Sequence, residues 1–151
     1  MNAPETLAAV DELDTSFLES LMGYNARRAT LVIVDAFLKG MAVHDLRPVD
    51  FSVLSVIAHN SGVTSRQLCS ALNIQPPNLV GMLNTLEKRG LIHRVPHPRD
   101  GRAMSLHLTS QGVTLIKAAE KSAAELEAAI TSSLSAGERK TLMALLKKIY
   151  A

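Results

Sequence analysis

Two adjacent prolines, Pro76 and Pro77, stand directly before an apolar run at helical spacing: Leu79, Met82, Leu83 and Leu86. A proline inside a helix costs about 3 kcal/mol, because it removes a hydrogen bond and clashes with the preceding turn. In the first turn it costs little, since the amides there have no intrahelical partner. The pair therefore fixes where a helix begins. Gln75 takes the N-cap, and the helix spans 76–89 before Gly90. Upstream, "TSRQLCSALN" opens on Thr64 with Gln67 three residues on, a capping box that starts a short helix ended by Asn73. Two helices joined by so short a turn form a helix–turn–helix.

After Gly90 the period changes. "LIHRV" and "AMSLHLT" alternate as strands do. In the second, Met104, Leu106 and Leu108 are expected on one face, with Ser105 and His107 on the other. Between the two lies "PHPRDGR", a turn, so the segment reads as a β-hairpin with a basic tip. The formal net charge of +2 does not by itself announce a polyanionic partner. Its distribution does. Residues 88–102 hold Lys88, Arg89, Arg94, Arg99 and Arg102, with His93 and His97, against one carboxylate at Asp100.

Long apolar-striped helices flank this centre. Residues 13–41 read as one helix carrying Leu13, Phe17, Leu21, Tyr24, Leu31, Val34, Leu38 and Met41 near one stripe, ended by Gly40 and "VHDLRP". Pro48 opens a helix over 49–59 with Phe51, Leu54 and Ile57 inward, stopped at Gly62. Thr109 caps a helix over 110–132 with Ile116, Ala119, Ala123, Leu126 and Ile130 on one face. Ser135 and Glu138 form a second capping box, opening a last helix with Leu142, Leu145, Leu146 and Ile149. The terminal helices pack either on their own chain or on each other across a two-fold axis. The second arrangement is favoured, because soluble oligomers are most often two-fold dimers. The expected fold is mainly α with a small β-hairpin wing. One domain over 1–151 comprises a winged helix–turn–helix (about 46–109) within a helical dimerisation frame (about 7–43 and 110–151).

Other classes are disfavoured. The single cysteine, Cys69, excludes an intramolecular disulfide and suits a reducing compartment. The start "MNAPETLAAVDELD" is acidic and lacks the basic and apolar regions of a signal peptide. No apolar stretch approaches the roughly 20 residues of a membrane span. A cytoplasmic protein with no membrane association is expected. No phosphate loop, nucleophile elbow or metal motif points to an enzyme or a cofactor. Cys69 falls between Leu68 and Leu72 and reads as core packing rather than a redox sensor. The five histidines lack metal-ligand spacing.

From about Phe17 to Ile149 the chain resembles the multiple-antibiotic-resistance regulator (MarR) family of transcription factors. The resemblance is most specific over "LRPVDFSVLSVIAHNSGVTSRQLCSALNIQPPNLVGMLNTLEKRGLIHRVPHPRDGRAMSLHLTSQG", and within it over Asp100-Gly101-Arg102 and Leu106-His107-Leu108-Thr109. It implies a regulator, expected to be a repressor, that binds a palindromic double-stranded DNA operator as a homodimer. Two positions depart from the family pattern. Serine, arginine and threonine are frequent in the first turn of the recognition helix, where this chain has Gln75, Pro76, Pro77 and Asn78. A basic residue is frequent one turn later, where this chain has Gly81.

In such a fold the second helix enters the major groove by its N-terminal end. Asn78 and Gln75 are the candidate base readers, since their amides match adenine N6/N7; Gln75 serves equally as a simple cap. Pro76 and Pro77 are placed to touch thymine methyls. Thr64, Ser65 and Arg66 are placed for phosphates, although Arg66 also reads as a surface charge. Arg102 at the wing tip suits the minor groove, held by a charge-assisted contact to Asp100. Arg94 and Arg99 are candidate phosphate contacts. Arg27 lies in the apolar stripe of the first helix beside Arg28, with Asp35 two turns on. The pair makes either an interhelix salt bridge or an anion pocket. In the second reading Tyr24 and Phe51 cover an aromatic ring. Family members similar around "RRA" respond to aromatic carboxylates, which implies an aromatic acid or its thioester as effector. The competing functions are a constitutive DNA-binding module and a protein-interaction winged helix.

Overall fold

The computed structural model describes residues 12–151. Residues 7–11 of the expected dimerisation frame, and most of the acidic N-terminal segment, lie outside the described residues. The element order is α1 (Ser16–Glu19), α2 (Met22–Met41), a 3-10 turn (Ala42–His44), α3 (Pro48–His59), β1 (Val63–Thr64), α4 (Ser65–Leu72), α5 (Pro76–Lys88), β2 (Ile92–His97), β3 (Asp100–Leu108), α6 (Ser110–Ile130) and α7 (Ala136–Tyr150).

Local signals place the helices. Thr64 Oγ1 accepts from the Gln67 amide, and the Gln67 side chain accepts from the Thr64 amide at 2.9 Å, closing the capping box. Asn73 ends α4 with φ +50°, a left-handed conformation that Asn tolerates better than most residues. Pro76 and Pro77 occupy the first turn of α5 behind Gln75, whose side chain makes no cap hydrogen bond. Ser135 and Glu138 cap α7 reciprocally. The Ser135 backbone amide, then its hydroxyl, hold the Glu138 carboxyl below its ordinary pKa.

The expected single helix over 13–41 is two. Leu21 is extended, at φ −92° and ψ 127°, and separates α1 from α2. The Ser20 hydroxyl donates to Phe17 O at 2.7 Å, and Asn25 Nδ2 donates to Glu19 O and Leu21 O at 2.7 and 2.9 Å. Short polar side chains thus offer the backbone an alternative to the helical ladder. Apolar periodicity does not register that competition.

The sheet has three antiparallel strands in the order β1-β3-β2. Ile92 pairs with Leu108, and Val63 with Leu106. Strand β1 has no signature in the sequence, being two residues long. Pro96 sits on the outer strand β2, where a missing amide costs no ladder bond to a further neighbour. The expected alternation in β3 holds for Leu106, which is fully buried, but fails nearer the tip. Ser105 is buried between its cross-strand partners Thr64 and Val95, while Met104 is exposed because the wing projects past the core.

The core joins Met41, Leu46, Val53, Leu54, Ile57, Leu68, Leu79, Leu83, Leu86, Leu91, Ile92, Leu106, Ile116 and Ala119. Phe51 is half-buried against it, and so is Cys69. The inward stripe of α6 therefore packs on its own chain, against α2 and α3. At Gly40 a Cβ would collide with the Leu126 side chain, so the glycine sets how closely α2 and α6 approach. The sequence reading that assigned this face of α6 to a partner copy is corrected accordingly. The apolar residues of α7 are uncovered within one chain, Leu145 by 52% and Ile149 by 61%.

At Gly112 a Cβ would overlap the backbone carbonyl of Leu91, which has no flexible end to give way. Gly112→Ala is expected to lower stability by about 1–3 kcal/mol, the usual cost of overpacking. The check is the midpoint of urea unfolding; an unchanged midpoint would show that α6 can slide at no cost.

Candidate nucleic-acid interface

Pairing of β1 with β3, Thr64 opposite Ser105, brings the start of α4 beside the wing. A concavity of 760 Å³ lies between them, lined by Thr64, Ser65, Arg66, Asp100, Arg102, Ala103 and Met104. Residues far apart in sequence are thereby assembled on one face. Arg66 is exposed, whereas the Thr64 hydroxyl is engaged in its capping box. At the start of α5, Gln75, Pro76, Pro77 and Asn78 are all exposed and lie in consecutive positions at the helix end.

The wing tip is organised by its own backbone. His97 Nδ1 accepts from the amides of Arg99 and Asp100 at 3.2 and 3.1 Å. The Asp100 carboxylate accepts from the Arg102 amide at 3.0 Å. The expected contact between Asp100 and Arg102 is thus made to the main chain and not to the guanidinium. An aspartate reaches the amide two residues on in such a turn. The Arg102 guanidinium, like that of Arg99, makes no hydrogen bond among the described residues, and both side chains are exposed.

Arg94 is placed differently from the expectation of a phosphate contact. Its Nη2 donates to Asn84 Oδ1 at 2.8 Å, its Nε lies 3.7 Å from Glu87 Oε2, and the side chain is 28% exposed. Strand β2 runs beside α5, so the guanidinium is committed to the recognition helix. Sequence reasoning had no means of pairing Arg94 with Asn84 and Glu87, because strand-to-helix contacts carry no spacing rule. It also passed over Arg47, the N-cap residue of α3. Arg47 Nε and Nη2 donate to the almost fully buried Asp50 at 2.8 and 3.0 Å. The hydrogen bond to Asp50, then its charge, push the Arg47 pKa further up. The only sequence hint was an aspartate three residues after an arginine at a proline-opened helix.

The four residues expected to hold an effector do not meet within one chain. Arg28 Nη1 donates to Tyr24 Oη at 3.0 Å, with the guanidinium carbon 5.8 Å from the ring centroid. Arg27 and Arg28 are both exposed, as are Leu31, Val34 and Leu38 along the same stripe. Asp35 pairs with Lys39 at 2.7 Å and not with either arginine. Phe51 packs edge-on against Phe37, with ring centroids 5.4 Å apart. At about 1.5 Å per residue, Phe37 lies roughly 20 Å along α2 from Tyr24. Periodicity placed Arg27 on a stripe but could not say that the stripe faces outward.

Among the described residues no helix is long and apolar enough to cross a membrane. No group of three or more histidine, cysteine, aspartate or glutamate side chains is placed to hold a metal ion among them. A helix–turn–helix whose second helix exposes its first turn and packs against a basic hairpin defines a winged-helix DNA-binding protein. Residues 44–103 match the MarR family pattern. The chain is 32% identical to the multiple antibiotic resistance protein MarR of Salmonella typhimurium over 106 residues, covering 70% of this chain and 74% of that one. The transcriptional repressor CouR bound to a 23-mer DNA duplex superposes with a TM-score of 0.88 at 35% identity, covering 93% of this chain and 99% of that one. CouR bound to p-coumaroyl-CoA superposes with a TM-score of 0.81 at 34% identity, covering 91% and 97%. The chain belongs to the MarR family of winged-helix transcriptional regulators.

Arg94→Ala is expected to lower the urea midpoint, because hydrogen bonds to a charged group contribute about 1.5–3 kcal/mol and partial exposure favours the lower end. The denaturant slope should stay unchanged. A variant as stable as the parent would mean that the link between β2 and α5 is idle.

Proposed function

We propose that this protein is a ligand-responsive transcriptional repressor, not an enzyme, that acts in the cytoplasm. It binds a palindromic operator as a homodimer and is released by an aromatic carboxylate or its thioester. The observation that carries the reading is the concavity that joins the α4 start to the basic wing, taken with the exposed first turn of α5. In this reading Asn78 and Gln75 read base edges from the major groove, with Pro76 and Pro77 against thymine methyls. Thr64, Ser65, Arg66 and Arg99 lie along the phosphates, Arg102 enters the minor groove, and Asp100 shapes the turn that aims it. Arg94 acts behind them, on the recognition helix.

The uncovered apolar residues of α2 and α7 support a dimer, since Leu31, Leu38, Leu142 and Leu145 are each about half exposed in one chain. A two-fold dimer would set two recognition helices about one helical turn of DNA apart. The effector class is supported by CouR, whose structure is bound to p-coumaroyl-CoA, and by the exposed Arg27 and Arg28 with the half-buried Tyr24 on α2. Completion of that site by the partner copy is part of the proposal, with Phe51 as a more distant wall. The separation of Phe51 from Tyr24 within one chain favours a second reading, a constitutive DNA-binding regulator without an effector.

Arg102→Ala should weaken operator binding and lower the slope of log affinity against log salt by about one. Asn78→Ala should relax preference at one base pair by about 1–3 kcal/mol. Both are read by fluorescence anisotropy across salt concentrations and operator variants. An Arg102 variant with parental affinity and slope would remove the wing from the interface.

The effector reading is tested by gel-shift titration with benzoates, hydroxycinnamates and their thioesters. Arg27→Ala and Arg28→Ala should keep operator affinity while losing release. Parental release in both variants would place the pocket elsewhere, and release of the parent by none of the compounds would favour the constitutive reading.

A further inference from the structure

Gly81 leaves a gap on the exposed side of the recognition helix: a Cβ built there meets nothing within 4 Å. The gap belongs to a concavity of 400 Å³ lined by Arg47, Asn78, Gly81, Met82 and Thr85. Four of those residues, at 78, 81, 82 and 85, line one face of α5. The fifth is the N-cap of α3 and is the one cation. Its guanidinium is held along one edge by the buried Asp50, at 2.8 and 3.0 Å. Nη1 makes no hydrogen bond among the described residues, and the side chain is 64% exposed. A guanidinium has five donors in a rigid fork, so fixing one edge aims the other. The Arg47 side chain therefore does not need to lose much rotamer freedom on binding an anion.

We infer that Arg47 and the gap at Gly81 form a phosphate-binding seat beside the recognition helix, for the DNA strand flanking the groove that α5 enters. The inference rests on the proposed DNA-binding reading. It assigns to α3 a contact that the helix–turn–helix itself does not supply on this side. Asn78, which shares the concavity, sits where a base reader would need the adjoining backbone held in register. Phosphate contacts set register and orientation and are indifferent to base sequence. Arg47 should therefore raise affinity for operator and unrelated duplex alike.

The test uses the full chain and compares Arg47→Ala with Arg47→Ala/Gly81→Arg, on an operator duplex and on a scrambled one. Arg47→Ala should lower affinity for both duplexes by a similar factor and reduce the salt slope by up to about one. Adding Gly81→Arg returns a guanidinium to the same concavity from the helix itself. It should restore affinity and slope on both duplexes, which a purely structural role for Arg47 would not permit. Because Arg47→Ala strands the Asp50 carboxylate, Arg47→Ala/Asp50→Asn is included as a variant that leaves no unpaired charge and keeps the cap. It should show the same loss of affinity and slope. Parental affinity and slope in either folded Arg47 variant would overturn the inference. So would a loss that Gly81→Arg does not repair. If the parent protein itself binds neither duplex, the DNA-binding reading fails first, and the two failures are distinct.

Discussion

Thr109 holds three elements at one point. Its amide donates to Leu91 O at 3.0 Å, its hydroxyl donates to Gly90 O, and the same hydroxyl accepts from the Gly112 amide at 3.0 Å. The residue therefore ends β3, caps α6 and fixes the chain leaving α5. Gly112 allows the first turn of α6 to sit directly on the Leu91 carbonyl. A rotation of α6 about this point would have to break hydrogen bonds to part-buried groups, each an expensive loss when no water replaces it. The direction of the wing and the direction of α6 are consequently set together.

That coupling matters because α6 is shared by both halves of the molecule. Towards the helix–turn–helix it reaches α3, where Glu120 Oε1 accepts from Ser55 at 2.7 Å and lies 2.9 Å from His59 Nε2. Towards the frame it meets α2 at Gly40 and Leu126, and His44 in the 3-10 turn that follows α2 has its Nε2 2.9 Å from Ser122 Oγ. A packed interior shifts between discrete arrangements more readily than it deforms. A displacement of α2 against α6 is thus felt at the same helix that positions α3 and the wing. In the proposed dimer, a ligand on α2 would need only unequal affinity for two such arrangements to change how the two recognition helices are spaced.

Features decided within a few residues were legible in the sequence. The two capping boxes, the Pro76–Pro77 start and the Asn73 stop each concern orphan backbone groups whose partners lie within one turn. The family resemblance extended that reach to the wing and to the order of elements. What stayed hidden was decided by partners distant in the chain or by competition within it. Strand β1 exists because β3 offers it a ladder. Arg94 reads as one more basic wing residue until α5 is placed beside β2. The break at Leu21 depends on Asn25 and Ser20 capturing carbonyls, in a stretch whose apolar spacing still suits a continuous helix. The facing of the α2 stripe was the largest gap. Amphipathic spacing says that a face is apolar, and says nothing of which chain covers it.

The same distinction sorts the arginines, and with them the chemistry of the interface. Net charge is only +2, so attraction for a polyanion must come from where cations are left free. Arg89 donates to Asp45 O at 2.9 Å, and Arg94 is tied to Asn84. These guanidiniums are spent on holding α5 to its neighbours. Those of Arg66, Arg99 and Arg102 have no hydrogen-bonded partner among the described residues, and all three side chains are exposed. Their neighbours act on the backbone, as Asp100 and His97 do at the wing tip, and so aim the cations without neutralising them at contact. Arg47 stands between the two groups, with one edge committed to Asp50 and the other open. A basic cluster read from sequence is therefore two populations in space, one that builds the reading surface and one that remains available to a phosphate.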